Sequence, residues 1–385
     1  MLFEHTPHYF TRRLNREVKE LYWHELLVSF SLTLTYIFEP IYLYRLNYSL
    51  VEILWFYFFV YCWYAILLMV VPRITSRIGY KHSIFLGSVF YVLYWLALFS
   101  IAKFPYLFYF APILFALQKS FYWPSFNSDI AFASAKTQRG REVGVLLSEV
   151  ELVSIIGPII GGAISYLFGF AALFGFGAIM MLTSAFPLFR SPDIYNSHYF
   201  SFARFVKILR QYKVNFFAYW GYAEDLMLMS VWPIFIFATV GHVFGVGVVT
   251  TIASLLSTII LLSIGRLTDK MQKRPLLQLS TVFYATTWIL RFMARTVPYV
   301  LAFDTVNRLG KAAVNVPLSS LTYEIAGSKS RDLGFAYTVF YEFALSIGKI
   351  FTALAAIIIL GYTGNIYYVF ILAGFLTLFY GLLRK

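Results

Sequence analysis

Polar positions along this chain come in short clusters, separated by apolar runs too long to be one face of a soluble helix. A helix that crosses a bilayer needs roughly 20 mainly apolar residues. Against that length, runs fall near 25–45, 50–71, 83–102, 105–133, 144–168 and 169–189. Six more fall near 214–240, 243–264, 276–296, 298–323, 334–360 and 363–383, with Gly169 splitting the nearly continuous fifth and sixth. The pattern predicts an all-α polytopic membrane protein with twelve transmembrane helices. The one long polar connection divides it into an N-terminal six-helix half (1–189), a linker (190–213) and a C-terminal six-helix half (214–385). Phe202, Arg204, Phe205, Lys207 and Arg210 alternate aromatic and basic in the linker. That alternation predicts an amphipathic helix lying on the cytoplasmic membrane surface.

The halves repeat. Pro40 and Pro233 lie 193 positions apart, as do Arg73 and Arg266, Arg77 and Lys270, Lys81 and Arg274, and Pro124 and Pro317. Arg141–Gly144 (REVG) then resembles Arg331–Gly334 (RDLG), with the offset drifting to about 190. Several matches at one spacing, on equivalent runs, predict two pseudo-symmetric six-helix bundles. Repeated halves with a binding site at their midplane interface are a design of secondary transporters.

Composition agrees with a lipid environment: 60% of residues are hydrophobic, 13% charged and 21% aromatic, and the mean hydropathy is +0.72. A soluble domain carries about 25% charged residues. The net charge of +13 would suggest nucleic acid. Here, however, the lysines and arginines sit in alternate loops, as orientation signals, and no nucleic-acid partner is expected. Arg12, Arg13, Arg16, Lys19, Arg73, Arg77, Lys81, Lys136, Arg139, Arg141 and the linker arginines fall on one side, which predicts both termini in the cytoplasm. The basic N-terminus lacks a cleavable signal pattern. The single cysteine, Cys62, leaves no disulfide or cysteine metal site, and neither a metal nor a cofactor is expected. Short outer loops and scattered histidines argue against a membrane enzyme. The absence of a GxxxxGK[ST] loop argues against a self-contained ATP-driven pump.

The segment Gly265-Arg266-Leu267-Thr268-Asp269-Lys270-Met271-Gln272-Lys273-Arg274-Pro275 resembles the signature loop of the major facilitator superfamily. The first-half copy, Pro72–His82, is similar, with Pro72 in place of the glycine and Ser76 in place of the aspartate. Gly157-Pro158-Ile159-Ile160-Gly161-Gly162 resembles the family's antiporter motif, with Val153 where a glycine is expected. Close helix packing is the other reading of these glycines. The resemblance implies alternating access around a cavity lined by the first, fourth, seventh and tenth helices. It also implies a cytoplasmic gate held by Asp269 with Arg73, Arg77, Gly265, Arg266, Lys270 and Arg274. Ser76 cannot supply a matching charge, so that gate is expected to be asymmetric.

Charged side chains at bilayer depth cost about 2.5–3.5 kcal/mol on insertion scales, so each is a candidate for function. Asp304, Arg308, Lys311 and Asn315 make one stripe at i, i+4, i+7, i+11. Pairing of Asp304 with Arg308 would leave Lys311 a free positive point. Glu224 and Asp225 lie about 15 Å into the seventh run, and only one is expected to face inward, with Arg308 as a partner. Glu39 precedes Pro40, and Lys119 sits on the fourth run, where the family often places a basic residue in antiporters. Glu149 and Glu151 are expected to pair with loop arginines, Glu342 with Lys349, and Arg291 and Arg295 to snorkel outward. The leading reading is a monomeric, proton-coupled carrier of a small organic solute in a prokaryotic plasma membrane, exporting by antiport, with Glu39 or the Glu224/Asp225 pair taking the proton. The alternatives are a proton symporter or uptake carrier for an organic anion or sugar, and a non-transporting sensor on a transporter fold.

Overall fold

The computed structural model describes residues 16–134, 139–193, 195, 200–268 and 272–384, with backbone alone at 17, 139–145, 147–148 and 262–268. It is helical, and no strand occurs among the described residues. The first run becomes α1 (Arg16–Thr35) and α2 (Phe38–Arg45), and the second becomes α3 (Leu50–Leu67) with a short α4 (Val71–Ile78). α5 (Tyr80–Ser100), α6 (Leu107–Ala133), α7 (Arg139–Leu167) and α8 (Gly169–Thr183) complete the first half. The linker holds α9 (Phe202–Gln211). In the second half come α10 (Lys213–Ala218), α11 (Trp232–Val240), α12 (Val243–Thr268), α13 (Lys273–Leu290), α14 (Val297–Gly327), α15 (Arg331–Thr363) and α16 (Tyr367–Thr377).

Every predicted run is therefore helical among the described residues. Eight are long and apolar enough to cross a membrane on composition alone. α6, α13 and α14 have the length but carry more polar residues, and the last run, Tyr367–Leu382, is shorter. α6 and α14 bury long stretches inside the bundle, where water or other helices replace lipid, whereas α13 exposes Leu279, Val282 and Ile289 on its outer face. Gly169 turns the chain between α7 and α8 with φ of 83°, a conformation that disfavours any residue with a Cβ.

The paired prolines explain where the first and seventh runs break. Pro40 removes an amide donor and clashes one turn upstream, and the helix is interrupted between Thr35 and Phe38. Pro233 acts likewise. The chain before it runs as a 3₁₀ segment (Tyr219–Glu224) and then a π segment (Met227–Val231) ahead of α11. The same device, at the same repeat position, loosens the backbone beside an acid in each half.

The halves meet along two fronts, α3 against α15 and α7 against α12. The glycines of α7 serve close packing both within the first half and across the second front. A Cβ on Gly157 would lie 2.1 Å from Thr33 Oγ1, and one on Gly161 would lie 2.1 Å from the Leu34 carbonyl, so both seat α7 on α1. Across the fronts, a Cβ on Gly247 of α12 would lie 2.4 Å from the Pro158 carbonyl, and one on Gly162 would lie 3.3 Å from Gly247 Cα. Small residues allow such backbone approach between membrane helices.

The linker forms the predicted amphipathic helix, α9, with protein contacts that the sequence did not indicate. Phe205 and Ile208 of α9 are buried, and Phe205 meets Phe343 of α15 edge-on at 5.4 Å. Arg204 pairs with Asp332 at 3.5 Å. The amphipathic helix predicted for the linker docks Phe205 and Ile208 on the bundle beside α15 and keeps Phe202 exposed.

Candidate functional site

Four charged residues lock together where the seventh, tenth and eleventh runs meet. Lys311 of α14 bonds Glu224 at short range and Asp225 Oδ1 at 2.5 Å. Lys349 of α15 approaches the other Asp225 oxygen at 3.5 Å. Tyr284 and Tyr380 donate to Glu224 at 2.8 and 3.1 Å, and Glu224 has no exposed surface. Three expectations are corrected here. Lys311 is not a free positive point, and both adjacent acids reach it. Adjacent helical side chains diverge by about 100°, and the Lys311 ammonium, with three donor hydrogens, sits between the two carboxylates and bonds both. Their cations are Lys311 and Lys349, not Arg308. The quartet is internally neutral.

Asp304 lies one turn before Arg308 on α14 and accepts from its Nε at 2.8 Å, as predicted. It also accepts from Arg291 at 3.1 Å and from Trp232 Nε1 at 2.7 Å. Arg291 does not snorkel outward. It is fully buried, its guanidinium 3.7 Å from the Trp232 ring centroid and 4.2 Å from that of Trp288. Indole faces attract a desolvated guanidinium, and Asp304 supplies the counter-charge. Arg295 is exposed.

Glu39 is 1% exposed in α2. It accepts from Trp95 Nε1 at 2.7 Å, Tyr94 at 3.0 Å and Tyr91 at 3.4 Å, all from α5. No cation lies within ion-pair distance of it among the described residues. Lys119 acts on it only through space, its ammonium lying over the rings of Phe115 (4.5 Å) and Tyr61 (5.6 Å). Tyr36 stands within electrostatic reach of both Glu39 and Asp225, one from each half.

Two groups were missed by sequence reasoning. Glu342 does not pair with Lys349. Its oxygens accept from Tyr64 of α3 and Asn127 of α6, each at 2.8 Å, and Tyr323 donates to the Asn127 oxygen at 2.8 Å. In α1, His24 meets the Ser184 carbonyl at 2.8 Å and Tyr122 at 3.1 Å, and Tyr122 donates to Glu25 at 3.2 Å. Both sets join residues far apart in sequence that share no spacing, so no periodic signal could find them. Glu151 interacts electrostatically with Arg308 across the halves, and Glu149 keeps one buried oxygen without a partner, while the side chains of the loop arginines expected for both, Arg139 and Arg141, lie outside the described residues.

Of the predicted gate, Asp269 and Lys270 lie outside the described residues, and Gly265 and Arg266 are described by backbone alone. Arg73, Arg77 and Arg274 are exposed. Lys81, the repeat partner of Arg274, is instead buried, bonding Glu20 at 2.9 Å and Ser191 Oγ at 2.5 Å. Ser76, where the signature aspartate would stand, accepts the Phe200 amide at 3.1 Å and so ties the linker to α4.

A family model described as Major Facilitator Superfamily matches residues 25–220 and 214–384. The chain is similar to multidrug resistance protein 2 of Bacillus subtilis (strain 168), with 26% identity over 295 residues and 72% of each chain covered. Among solved structures it resembles the E. coli fucose:proton symporter, with a TM-score of 0.69 and 13% identity over 94% of this chain and 96% of that one. It also resembles the human organic anion transporter TETRAN, with a TM-score of 0.65 and 13% identity over 96% and 99% of the two chains.

Proposed function

The chain belongs to the Major Facilitator Superfamily, and on that footing we propose that it is a secondary active transporter that exports a small organic solute in exchange for protons. The observation that carries this reading is the contrast between the buried acids at the centre. Glu224 and Asp225 are neutralised by lysines, whereas Glu39, like Glu342 and Glu25, has hydrogen-bond donors and no cation at bonding distance among the described residues. A buried carboxylate without a counter-charge is costly, and a proton removes that charge where no side chain does. Of the acids without a cation, Glu39 is the one beside the break in the first run at Pro40, and on that ground it is the coupling acid of this reading. Arg308, Lys311, Lys119 and the loosened backbone beside Pro40 and Pro233 complete the pathway.

Export is inferred from the Bacillus subtilis relative, whose name marks it as a drug-resistance protein. The glycine motif lends no weight to direction, because close packing of α7 on α1 and α12 accounts for it.

The test uses purified protein in proteoliposomes with an entrapped pH-sensitive dye, screened against sugars, amino acids, organic anions and cationic drugs. Addition of a substrate should move protons in the opposite direction to the solute. In Glu39→Gln the proton signal should vanish while solute exchange down its own gradient continues. Solute flux indifferent to an imposed pH gradient, or an unchanged proton signal in Glu39→Gln, would overturn the assignment.

A further inference from the structure

We infer that the transported solute carries an anionic group, which docks on the terminal nitrogens of Arg308 within electrostatic reach of Glu151. The inference rests on the transport reading and narrows its substrate class.

Charge counting across the second half singles out one residue. The quartet of Glu224, Asp225, Lys311 and Lys349 sums to zero and satisfies itself. The neighbouring group of Asp304, Arg291 and Arg308 sums to +1, one carboxylate against two guanidinium groups. Arg291 and Asp304 are 0% and 1% exposed, and the two tryptophan faces enclose the former, so that pair is a fixed structural unit. The excess charge belongs to Arg308, whose side chain is 29% exposed.

The geometry of Arg308 matters as much as its charge. Only its Nε bonds Asp304, and among the described residues neither terminal nitrogen has a partner. Asp304 therefore holds the side chain in place and leaves the outer edge of the guanidinium free. That edge is a rigid two-nitrogen donor matched to a carboxylate or another planar oxyanion. Across the halves, Glu151 of α7 interacts with Arg308 through space, and its carboxylate makes no hydrogen bond among the described residues. Glu151 stays beyond ion-pair distance, so among the described residues it adds a through-space counter-charge while leaving the guanidinium edge open to an incoming anion. Because one partner comes from each half, binding there would register occupancy at the seam that alternating access must open.

The test measures binding to purified protein in nanodiscs with three probes that share one apolar body and differ in charge: 1-naphthoate, 1-naphthamide and 1-naphthylmethylammonium. The carboxylate should bind at least about tenfold tighter than the other two, the range that a charge-assisted hydrogen bond supplies. Arg308→Gln should weaken naphthoate about 10- to 100-fold and leave naphthamide unmoved. Asp304 keeps Arg291 and Trp232 in that variant, so the fold has the partners it needs. Arg308→Lys, a point charge in place of the fork, should fall between the two. Glu151→Gln should tighten naphthoate, a change in the opposite direction that a merely structural role would not produce. Naphthoate binding no better than the amide or the amine, including silence from all three, overturns the inference, and so does unaltered binding in Arg308→Gln. The transport reading fails separately. Arg308-dependent binding of naphthoate without flux of any probe would sink transport and leave the anion site standing. Flux of the amine independent of Arg308 would do the reverse.

Discussion

Lys311 satisfies two buried acids at once, and its removal should be felt in stability before transport is even measured. Glu224 has no exposed surface and only tyrosine donors besides Lys311, whereas Asp225 retains Lys349. Breaking a buried pair by deleting one partner costs about 3–5 kcal/mol, because the surviving charge is left uncompensated. Lys311→Met should therefore lower the thermal unfolding midpoint in detergent sharply, and adding Glu224→Gln should restore much of the loss. Equal midpoints for Lys311→Met and wild type would show that the ion pair carries no stability. The stripe of Asp304, Arg308 and Lys311 was legible in the sequence because residues one turn apart on a helix share a face. Which acids face Lys311 was not legible. That depends on how α14 is rotated against a seventh segment whose 3₁₀ and π turns break the regular 100° step. Arg291 was misplaced for a related reason: its distance from the end of the run implied water, while two tryptophans and Asp304 draw it inward.

At the level of elements, the twelve apolar runs and the split at Gly169 carried over into helices because length and hydropathy are properties of each segment alone. The docking of α9 was not so readable. Its amphipathic pattern states that one face is buried, and the pattern alone does not say that α15 takes Phe205. The glycines of α7 separate the two readings the motif allowed. A Cβ at Gly161 would strike the Leu34 carbonyl at 2.1 Å, a backbone atom that cannot swing aside. Gly161→Ala should thus destabilise the protein by about 1–3 kcal/mol, the usual cost of overpacking. Gly175 of α8 has nothing within 4 Å of its would-be Cβ, so Gly175→Ala should be neutral or slightly stabilising, since alanine is the better helix former. Thermal unfolding of the two variants side by side checks both. Equal destabilisation would mean that helix propensity, and not the α7–α1 contact, sets the effect.

The whole molecule is held shut at the end where the linker lies. Ser128 of α6 and Thr338 of α15 share a hydroxyl hydrogen bond at 2.7 Å, next to Glu342 with its donors Tyr64 and Asn127 from the other half. Tyr80 packs against Phe335 in the same region, with ring centroids 5.5 Å apart. If transport proceeds by alternating access, this seam must part once per cycle, since a packed polar seam admits no solute while its bonds stand. Two side chains whose oxygens touch are well placed for a disulfide, and Cys62 is the single native cysteine to remove first. In a Cys62→Ser background, Ser128→Cys with Thr338→Cys should crosslink on mild oxidation and bring flux close to zero, with reductant restoring it. Solute binding from the opposite side should survive the crosslink, because the Arg308 and Glu39 groups lie outside the tied pair. Loss of both binding and flux would indicate damage in place of a locked gate. Full flux through protein shown to be crosslinked would mean that the seam never opens, and the two halves would then have to admit solute along the other front, α7 against α12, where Gly162 and Gly247 already bring the backbones together.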